Sequence, residues 1–310
     1  MTGQRENAGA IQVIVNCSSK CVFCASNKGY LSKEAVGRRA SGDYLSTMEK
    51  SIRETLNKYK EQGIRIIEIS GDDPLDYKNL FSLLDEIRHM GFESVGISTH
   101  GKQLADLDFL DRLIGYGVNR FNIPLYGQSA KVHDAITNTE GSFDRVMGGL
   151  KNIIQRGVNV DVSCLVLRGN KTDLLGIAFL MGELGVKTLN FTMPCITRVD
   201  FHGHYIPYSE IGEYVTAALG FIQGTNLPGR FIDFPPCVFK MQDSERIINE
   251  KELGVGSIIY PHRIKVKTEM CQKCDARDSC GGFYQEDISR FGTGALRPIV
   301  YEGFSRQLLM

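Results

Sequence analysis

The sequence predicts an α/β fold in which short strands alternate with helices around a parallel sheet. Between residues 11 and 205, short apolar segments alternate with longer segments whose apolar residues recur at helical spacing. Glycines also recur where a predicted helix ends and the next strand begins, at Gly63, Gly91, Gly117, Gly157 and Gly185. Because helical crossovers join parallel strands, these observations favour either an open, doubly wound sheet or a partial barrel.

Six strand–helix steps are predicted in this part of the chain. The strands are predicted over residues 11–16, 64–70, 93–99, 120–125, 158–167 and 187–193. Helices are predicted over residues 43–59, 80–87, 104–114 and 173–184, and another begins with Ser142 as its N-cap. In both candidate arrangements ligands bind at the carboxyl ends of the strands, so we expect the site at that edge.

The pattern changes after residue 205. A helix is predicted over residues 208–221 and a short strand over residues 263–266, but prolines and glycines interrupt the rest. We therefore divide the chain into a core domain, residues 1–205, and a C-terminal domain, residues 206–310. A small, loop-rich module of this kind often needs a metal to stabilise it.

The composition narrows the classes of function. The chain has 36 Lys and Arg against 36 Asp and Glu, so no net charge favours nucleic acid or an anionic membrane as partner. No apolar run approaches the roughly 18 residues of a membrane span, and residues 1–10 lack the apolar stretch of a secretory signal, so we expect a cytoplasmic protein. The nine cysteines are an odd number, and six lie in two tight groups, which indicates metal binding rather than disulfides.

The first group is Cys17, Cys21 and Cys24, spaced C-x3-C-x2-C after the first predicted strand. Three thiolates can hold an iron–sulfur cube by three corners and leave the fourth iron without a protein ligand. A structural zinc site needs four ligands, and no further Cys or His is adjacent, although zinc stays an alternative. An open iron suits the coordination of a substrate or cofactor.

With Phe23 before its last cysteine, this group resembles the C-x3-C-x-aromatic-C motif of the radical S-adenosylmethionine (SAM) superfamily. The resemblance implies a partial (β/α)6 barrel of the TIM type and a [4Fe–4S] cluster held by Cys17, Cys21 and Cys24. It also implies that the open iron chelates SAM, whose reductive cleavage yields a 5′-deoxyadenosyl radical that abstracts hydrogen from a substrate. The electron would come from a donor such as flavodoxin or ferredoxin.

Other segments resemble the same superfamily. The run from Ser70 to Pro74 stands where the family has Gly-Gly-Glu-Pro, with Asp72 in place of the second glycine and Asp73 in place of the glutamate. Segments 98–101, 123–127, 133–137 and 141–143 also resemble segments of the family. The resemblance covers about residues 10–205. It implies SAM contacts from Phe23, Gly71, Asp72, Asp73, Pro74, Thr99, Pro124 and Met193.

The second group is Cys271, Cys274 and Cys280, spaced C-x2-C-x5-C, with Cys237 upstream. Four thiolates make a closed site, which is typical of structural or electron-transferring centres, and zinc is an alternative here. The spacing resembles the SPASM and twitch branch of radical SAM proteins, but Tyr284 stands where the longer pattern has a further cysteine. The resemblance therefore implies one auxiliary [4Fe–4S] cluster, held by these four cysteines in a twitch-like module.

The remaining candidates are less specific. Cys164 lies in the fifth predicted strand, where a free cysteine is ordinarily a small buried hydrophobe. Cys195 follows the sixth strand and could donate a hydrogen atom to a substrate radical. His202, close to His204, could contact a substrate or act as a base, although loop histidines are commonly exposed and without such a role.

The resemblances imply a radical SAM enzyme, oxidoreductase-like, that oxidises its substrate with the auxiliary cluster as electron acceptor. The net reaction would be a dehydrogenation, a cyclisation or a crosslink, on a peptide or on a small metabolite such as a sugar or aminocyclitol. Two alternatives stay open. One is a redox-neutral epimerase with Cys195 as hydrogen donor, and the other is a zinc-stabilised binding protein without catalytic activity.

Overall fold

The fold is built on one parallel sheet. The computed structural model describes residues 8–24, 41–194, 203–239, 247–248, 264–294 and 296–300. Eight strands pair in the order of the chain, each parallel to the next, which confirms the α/β prediction and matches a partial barrel of the TIM type. The strands are β1 (Ala8–Val13), β2 (Ile66–Gly71), β3 (Ser94–Ser98), β4 (Val118–Pro124), β5 (Asn159–Leu165), β6 (Thr188–Thr192), β7 (Gly229–Ile232) and β8 (Ile247–Ile248).

Helices lie between successive strands in the sequence. They are α1 (Gly42–Glu61), α2 (Leu80–His89), α3 (Leu107–Gly115), α4 (Ala130–Thr137), α5 (Ser142–Gln155), α6 (Leu174–Leu184) and α7 (Tyr208–Gln223), and α8 (Gln285–Phe291) follows near the C-terminus. The five glycines predicted to end helices all have positive φ angles, between 67° and 94°. A residue without Cβ adopts this conformation at little cost, so five of the helices end within two residues before a glycine, as the sequence predicts.

The two faces of the sheet differ in chemistry. One face presents apolar side chains such as Ile69, Ile97 and Phe191, which are fully buried in one hydrophobic core together with helix residues. The residues that alternate with them, such as Ser98 and Asn190, are polar and partly exposed. Because side chains alternate between the faces of a strand, the helices cover the apolar face and the polar face lies on the opposite side.

Some helix boundaries differ from the sequence prediction. Ser142 is the first residue of α5, and the N-cap is Gly141. The helix expected over residues 104–114 consists of two elements, the 3-10 helix Lys102–Ala105 and α3. They divide at Asp106, whose carboxylate accepts the amide hydrogen of Phe109 over 3.1 Å and so caps α3. Helix α4 is not predicted by the apolar spacing.

The sheet continues beyond residue 205. Strand β7 pairs with β6, and β8 pairs with β7, in a segment where the sequence predicts irregular structure. Helix α7 contains the predicted helix 208–221 and packs against α6. Farther along the chain, β9 (Lys265–Val266) pairs antiparallel with β10 (Phe283–Tyr284). Within the described ranges, no helix has the length and apolar character needed to cross a membrane.

Candidate active site at the carboxyl ends of the strands

The loop with the first three cysteines follows β1 and packs against helix α4. The amide of Val22 donates to the carbonyl oxygen of Ile136 over 2.9 Å. The ring of Phe23 meets the ring of Tyr126 edge-on, with centroids 5.2 Å apart. Val22 and Phe23 cover a small apolar cluster that includes Tyr126, Ile136 and Leu167. The aromatic residue of the motif is therefore an anchor that holds the cysteine loop on the barrel.

Asp76 ties the same loop to two other turns. Its carboxylate accepts the amide hydrogen of Ser18 over 2.7 Å and the side-chain amide of Gln103 over 2.9 Å. The ammonium group of Lys102 lies 3.3 Å from the hydroxyl of Ser18. Asp76 is not among the residues predicted from the sequence, where its place in the acidic turn after β2 is the signal that points to it. It links the cysteine loop to the segments after β2 and β3.

Gly71 ends β2 beside the end of β1. It pairs with Val13, and its φ angle of 136° is one that residues with side chains rarely adopt. A Cβ atom at this position would lie 2.0 Å from the carbonyl oxygen of Val13. The next amide, that of Asp72, donates to the same oxygen over 3.3 Å. Only a glycine lets the turn after β2 approach the strand that leads into the cysteine loop.

Asp73 joins the turn after β2 to the end of β3. Asp73 and Thr99 are buried, at 3% and 4% exposure. One carboxylate oxygen accepts the Thr99 hydroxyl over 2.7 Å and the amide of Leu75 over 3.1 Å, and the other accepts the amide of His100 over 3.2 Å. Burial raises the pKa of Asp73 and lowers the pKa of His100. Two segments predicted separately as SAM contacts are thus one hydrogen-bonded unit.

The other predicted contact residues lie at the same edge. Pro74 is buried and begins the 3-10 helix Pro74–Asp76 after β2. Pro124 is the last residue of β4. Met193 directly follows β6, is buried, and donates its amide hydrogen to the carbonyl oxygen of Ile232 over 3.0 Å. The carboxyl ends of β2, β4 and β6 therefore carry these residues, as the sequence predicts.

Two thiols of the cysteine loop, those of Cys17 and Cys21, have pKa values that their surroundings shift upwards. Burial, with a smaller contribution from neighbouring negative groups, raises the pKa of Cys17 and of Cys21 to about 12 in total. For Cys17 these groups are Asp73, Asp76 and Cys24, and for Cys21 they are the other two cysteines. The amide of Ser19 donates to the Cys17 sulfur over 3.4 Å. Thiols of this kind release their protons when a cationic centre binds, which couples protons to metal loading.

The donor set favours a cluster over a single ion. Cys17, Cys21 and Cys24 are all free thiols. Thiolates are the common protein ligands of iron–sulfur clusters, and a cluster spans more space than an ion. Three cysteines in one loop fit such a cluster and leave one iron for another ligand.

The match to a known family decides the class of this site. A sequence model of the radical SAM superfamily matches residues 11–180, which include the cysteine loop and the strands β2 to β5. The chain belongs to the radical SAM superfamily. Membership implies SAM and one [4Fe–4S] cluster as cofactors, and it agrees with the barrel and with the C-x3-C-x2-C loop after β1.

Curated relatives resemble part of this radical SAM protein. A probable GTP 3′,8-cyclase of Saccharolobus islandicus (strain M.14.25 / Kamchatka #1) is 26% identical over 175 residues, which are 56% of this chain and 52% of the relative. The GTP 3′,8-cyclase of Staphylococcus haemolyticus is 26% identical over 167 residues, 53% of this chain and 46% of the relative. The chain thus aligns with about half the length of these relatives.

Solved structures share the fold of this radical SAM protein. Streptococcus suis SuiB bound to S-adenosylmethionine superposes with a TM-score of 0.57 at 15% identity, over 72% of this chain and 50% of SuiB. Coproporphyrinogen III oxidase (HemN) from Escherichia coli, itself described as a radical SAM enzyme, gives a TM-score of 0.53 at 16% identity, over 72% of this chain and 54% of HemN. At these identities the likeness concerns the fold alone.

The second cysteine group surrounds a pocket in the C-terminal part of the chain. All four predicted ligands, Cys237, Cys271, Cys274 and Cys280, line it. Burial, together with a smaller contribution from the other three cysteines, raises the pKa of Cys237 to about 12. The structure thus brings Cys237, which is distant in the sequence, to the same pocket as the C-x2-C-x5-C loop.

The remaining predicted residues are not part of these two groups. Cys164 is fully buried in β5, and its sulfur lies 3.6 Å from the side-chain amide of Asn170. It is a core residue, as the sequence analysis expects for a free cysteine in a strand. Cys195 and His202 lie outside the described residues, and their predicted roles stay predictions. The carbonyl oxygen of His204 accepts the amide hydrogen of Arg168 over 2.7 Å.

The His133–Asp134 segment of α4 binds the start of α5 and Tyr126, whose ring contacts Phe23 of the cysteine loop. Asp134 accepts the amides of Gly141 and Phe143, over 2.7 and 2.8 Å, at the start of α5. His133 is almost fully buried, and its Nδ1 accepts the amide of Tyr126 over 3.2 Å. Burial lowers the pKa of His133 to about 4. The folded protein therefore keeps this imidazole neutral.

We expect the free energy of unfolding to fall as the pH drops from about 6.5 towards 4, because the unfolded chain then protonates His133 while the folded protein does not. The full shift in pKa corresponds to about 3 kcal/mol. Urea unfolding under anaerobic conditions between about pH 7 and pH 5 measures the effect. His133→Asn should flatten the pH dependence, and the exposed control His89→Asn should not. Equal pH dependence in His133→Asn and the native protein would contradict this assignment.

Proposed function

We propose that this protein is a radical SAM enzyme that oxidises its substrate in two one-electron steps, with an auxiliary [4Fe–4S] cluster as the electron acceptor. The observation that carries the proposal is the convergence of Cys237, Cys271, Cys274 and Cys280 on one pocket. The family supplies the first half of the reaction. The four-cysteine pocket would hold the cluster that accepts the electron lost by the substrate radical.

Three cysteines hold the cluster that binds SAM in this proposal. When bound, the cluster and SAM together supply a 5′-deoxyadenosyl radical. Cys17, Cys21 and Cys24 are the ligands, and Phe23 fixes their loop through its contact with Tyr126. Gly71, Asp72, Asp73, Pro74 and Thr99 form the adjoining wall, and Pro124 and Met193 extend it along the edge of the sheet. Helices cover the opposite face of the sheet, which keeps that side of the site closed to water.

The reaction balances as follows. Cys17, Cys21 and Cys24 would hold the cluster that passes one external electron to SAM, which would then give methionine and the deoxyadenosyl radical. The substrate would give a hydrogen atom to that radical, so that 5′-deoxyadenosine forms and the substrate becomes a carbon radical. The substrate radical would lose one electron to the auxiliary cluster and one proton to solvent, which completes a two-electron oxidation as a new double bond, ring or crosslink.

The four-cysteine pocket suits electron transfer better than substrate binding. Four thiolates complete the coordination of a [4Fe–4S] cluster, so no iron stays open for a substrate. Apolar side chains form much of the wall, among them Met270, Phe283 and Ile299. We therefore assign residues 206–310 the auxiliary cluster and residues 1–205 the SAM cluster, although the sheet itself crosses this boundary.

Two classes of substrate are consistent with the relatives. The curated relatives are named for a GTP 3′,8-cyclase, and a structure of SuiB is described as bound to its precursor peptide SuiA. GTP is a small nucleotide, and SuiA is a peptide. Both chemistries would use the same hydrogen abstraction, so we propose a peptide or small-metabolite substrate for this chain.

Cys280→Ala tests the auxiliary role. We expect the variant to lose about half of its iron and sulfide, because one of two four-iron clusters loses a ligand, and to keep reductive SAM cleavage. Oxidised product should disappear while 5′-deoxyadenosine still forms. The measurements are iron and sulfide analysis and chromatography of reactions with GTP, labelled amino sugars and labelled peptides. Cys164→Ala is the matched control, since Cys164 is a buried thiol that belongs to neither cysteine group. A native protein that carries zinc and no second iron–sulfur cluster would contradict the proposal.

A further inference from the structure

A threonine hydroxyl contacts one of the four sulfurs. Thr268 follows β9 and precedes the 3-10 helix Glu269–Lys273 that carries Cys271. Its Oγ1 lies 3.7 Å from the sulfur of Cys271, within hydrogen-bond distance for sulfur. The hydroxyl does not cap the helix, because the side chain of Thr268 makes no hydrogen bond to the backbone there. Its described polar contact is therefore with the cysteine.

We propose that Thr268 sets the reduction potential of the auxiliary cluster by donating its hydroxyl hydrogen to the Cys271 thiolate. The inference rests on the proposed function, because it needs the cluster in the four-cysteine pocket. Thr268 is a positioning residue that acts through a ligand, and it touches neither substrate nor SAM.

The direction of the effect follows from charge. Reduction adds one electron to the cluster, and part of that charge resides on the ligand sulfurs. A hydrogen bond to a sulfur stabilises the more negative, reduced state and so raises the reduction potential. A higher potential makes the cluster a better acceptor for an electron from a substrate radical, which is the role proposed above.

The surroundings hold the hydroxyl in place. Val266, two residues before Thr268, pairs with Phe283 in the antiparallel β9–β10 ladder. The carbonyl oxygen of Thr268 accepts the amide hydrogen of Cys271 over 3.0 Å, which fixes the turn between them. A second sulfur, that of Cys280, accepts the amide hydrogen of Gly282 over 3.2 Å. That second donor belongs to the backbone, so Thr268 is the donor that a side-chain substitution can remove.

Lys267 adds a positive charge to the lining of the four-cysteine pocket. Lys267 lines the pocket, and its ammonium group donates to the carbonyl oxygen of Arg277. A cation near the sulfurs also favours the reduced state. Its side chain is exposed, so water screens its charge, whereas the hydroxyl of Thr268 acts at contact distance. We therefore assign the larger effect to Thr268.

The test uses the full-length enzyme with both clusters and follows each cluster by EPR during a redox titration. Added SAM perturbs the signal of the N-terminal cluster and so identifies it, which leaves the other signal for the auxiliary cluster. Thr268→Val keeps the shape and removes the hydroxyl, and Thr268→Ser keeps the hydroxyl. Ser279→Ala is the matched control, because the Ser279 hydroxyl donates to the carbonyl oxygen of Ala276.

We expect Thr268→Val to shift the auxiliary cluster to a lower potential and to leave the N-terminal cluster unchanged. Thr268→Ser and Ser279→Ala should keep the native potential. An unchanged potential in Thr268→Val, with both clusters present, overturns the inference and leaves the proposed function intact. Loss of the second cluster from Thr268→Val also overturns it, because Thr268 would then be needed to hold the cluster. Native protein with one cluster only overturns the proposed function itself.

Discussion

Cys24→Ala should abolish the reductive cleavage of SAM while the C-terminal cluster stays in place. Cys24 is one of the three ligands that we propose for the N-terminal cluster, in a loop with three cysteines, so its loss would leave that cluster with two protein ligands. The cofactor carries the difficult chemistry in this class of enzyme, and no side chain can replace it. Formation of 5′-deoxyadenosine with dithionite as reductant should fall to the level without enzyme.

Iron analysis and EPR give the second readout for this variant. The protein should keep about half of its iron, and the remaining EPR signal should not respond to SAM. Cys164→Ala should keep both clusters and full SAM cleavage, because Cys164 is a core residue of β5. If Cys24→Ala lost both clusters, the division into two independent sites would be wrong.

Gly71→Ala should weaken both the fold and SAM binding. A methyl group at this position would lie 2.0 Å from the Val13 carbonyl oxygen, and the backbone φ of 136° is strained for any residue with a Cβ. To accommodate the methyl group, the end of β2 must move away from β1, and this movement displaces Asp72 and the turn that follows. We expect a loss of about 3 kcal/mol in unfolding free energy and at least tenfold weaker SAM binding.

Gly220→Ala is the matched control for this change. Gly220 lies in α7 and is exposed, and no atom lies within 4 Å of where its Cβ would stand. Alanine favours the helix there by about 1 kcal/mol, so the control should be as stable as the native protein or more stable. Urea unfolding and equilibrium dialysis with labelled SAM measure the two effects. Native-like stability and SAM affinity in Gly71→Ala would show that the turn can shift without cost.

Much of the fold could be predicted because its signals are local. The apolar spacing of α1 and α2 and the glycines at the helix ends each depend on a few neighbouring residues. Strand β7 was missed for the opposite reason. It is four residues long, and its place in the sheet comes from pairing with β6, to which no sequence spacing points.

The residues of the candidate site also fall into those that a local spacing predicts and those that are related only by contacts between distant segments. The spacing of Cys17, Cys21 and Cys24 identifies one cluster loop because all three ligands lie in a single short segment. Asp73 and Thr99 were predicted as separate contacts, and their hydrogen bond joins residues 26 positions apart. Asp76 was missed because its partners Ser18 and Gln103 lie on other turns.

The sequence by itself determined the parallel α/β class, the edge at which the site lies and the chemistry of the first cysteine loop, since periodicity and short spacings are properties of the chain alone. Only the tertiary structure decided that Thr268 contacts the sulfur of Cys271 and that Asp76 joins the cysteine loop to the turns after β2 and β3, whereas the grouping of Cys237 with the later cysteines was already implied by the resemblance. Contacts between distant segments depend on how strands and turns pack, and the packing of the whole core determines them.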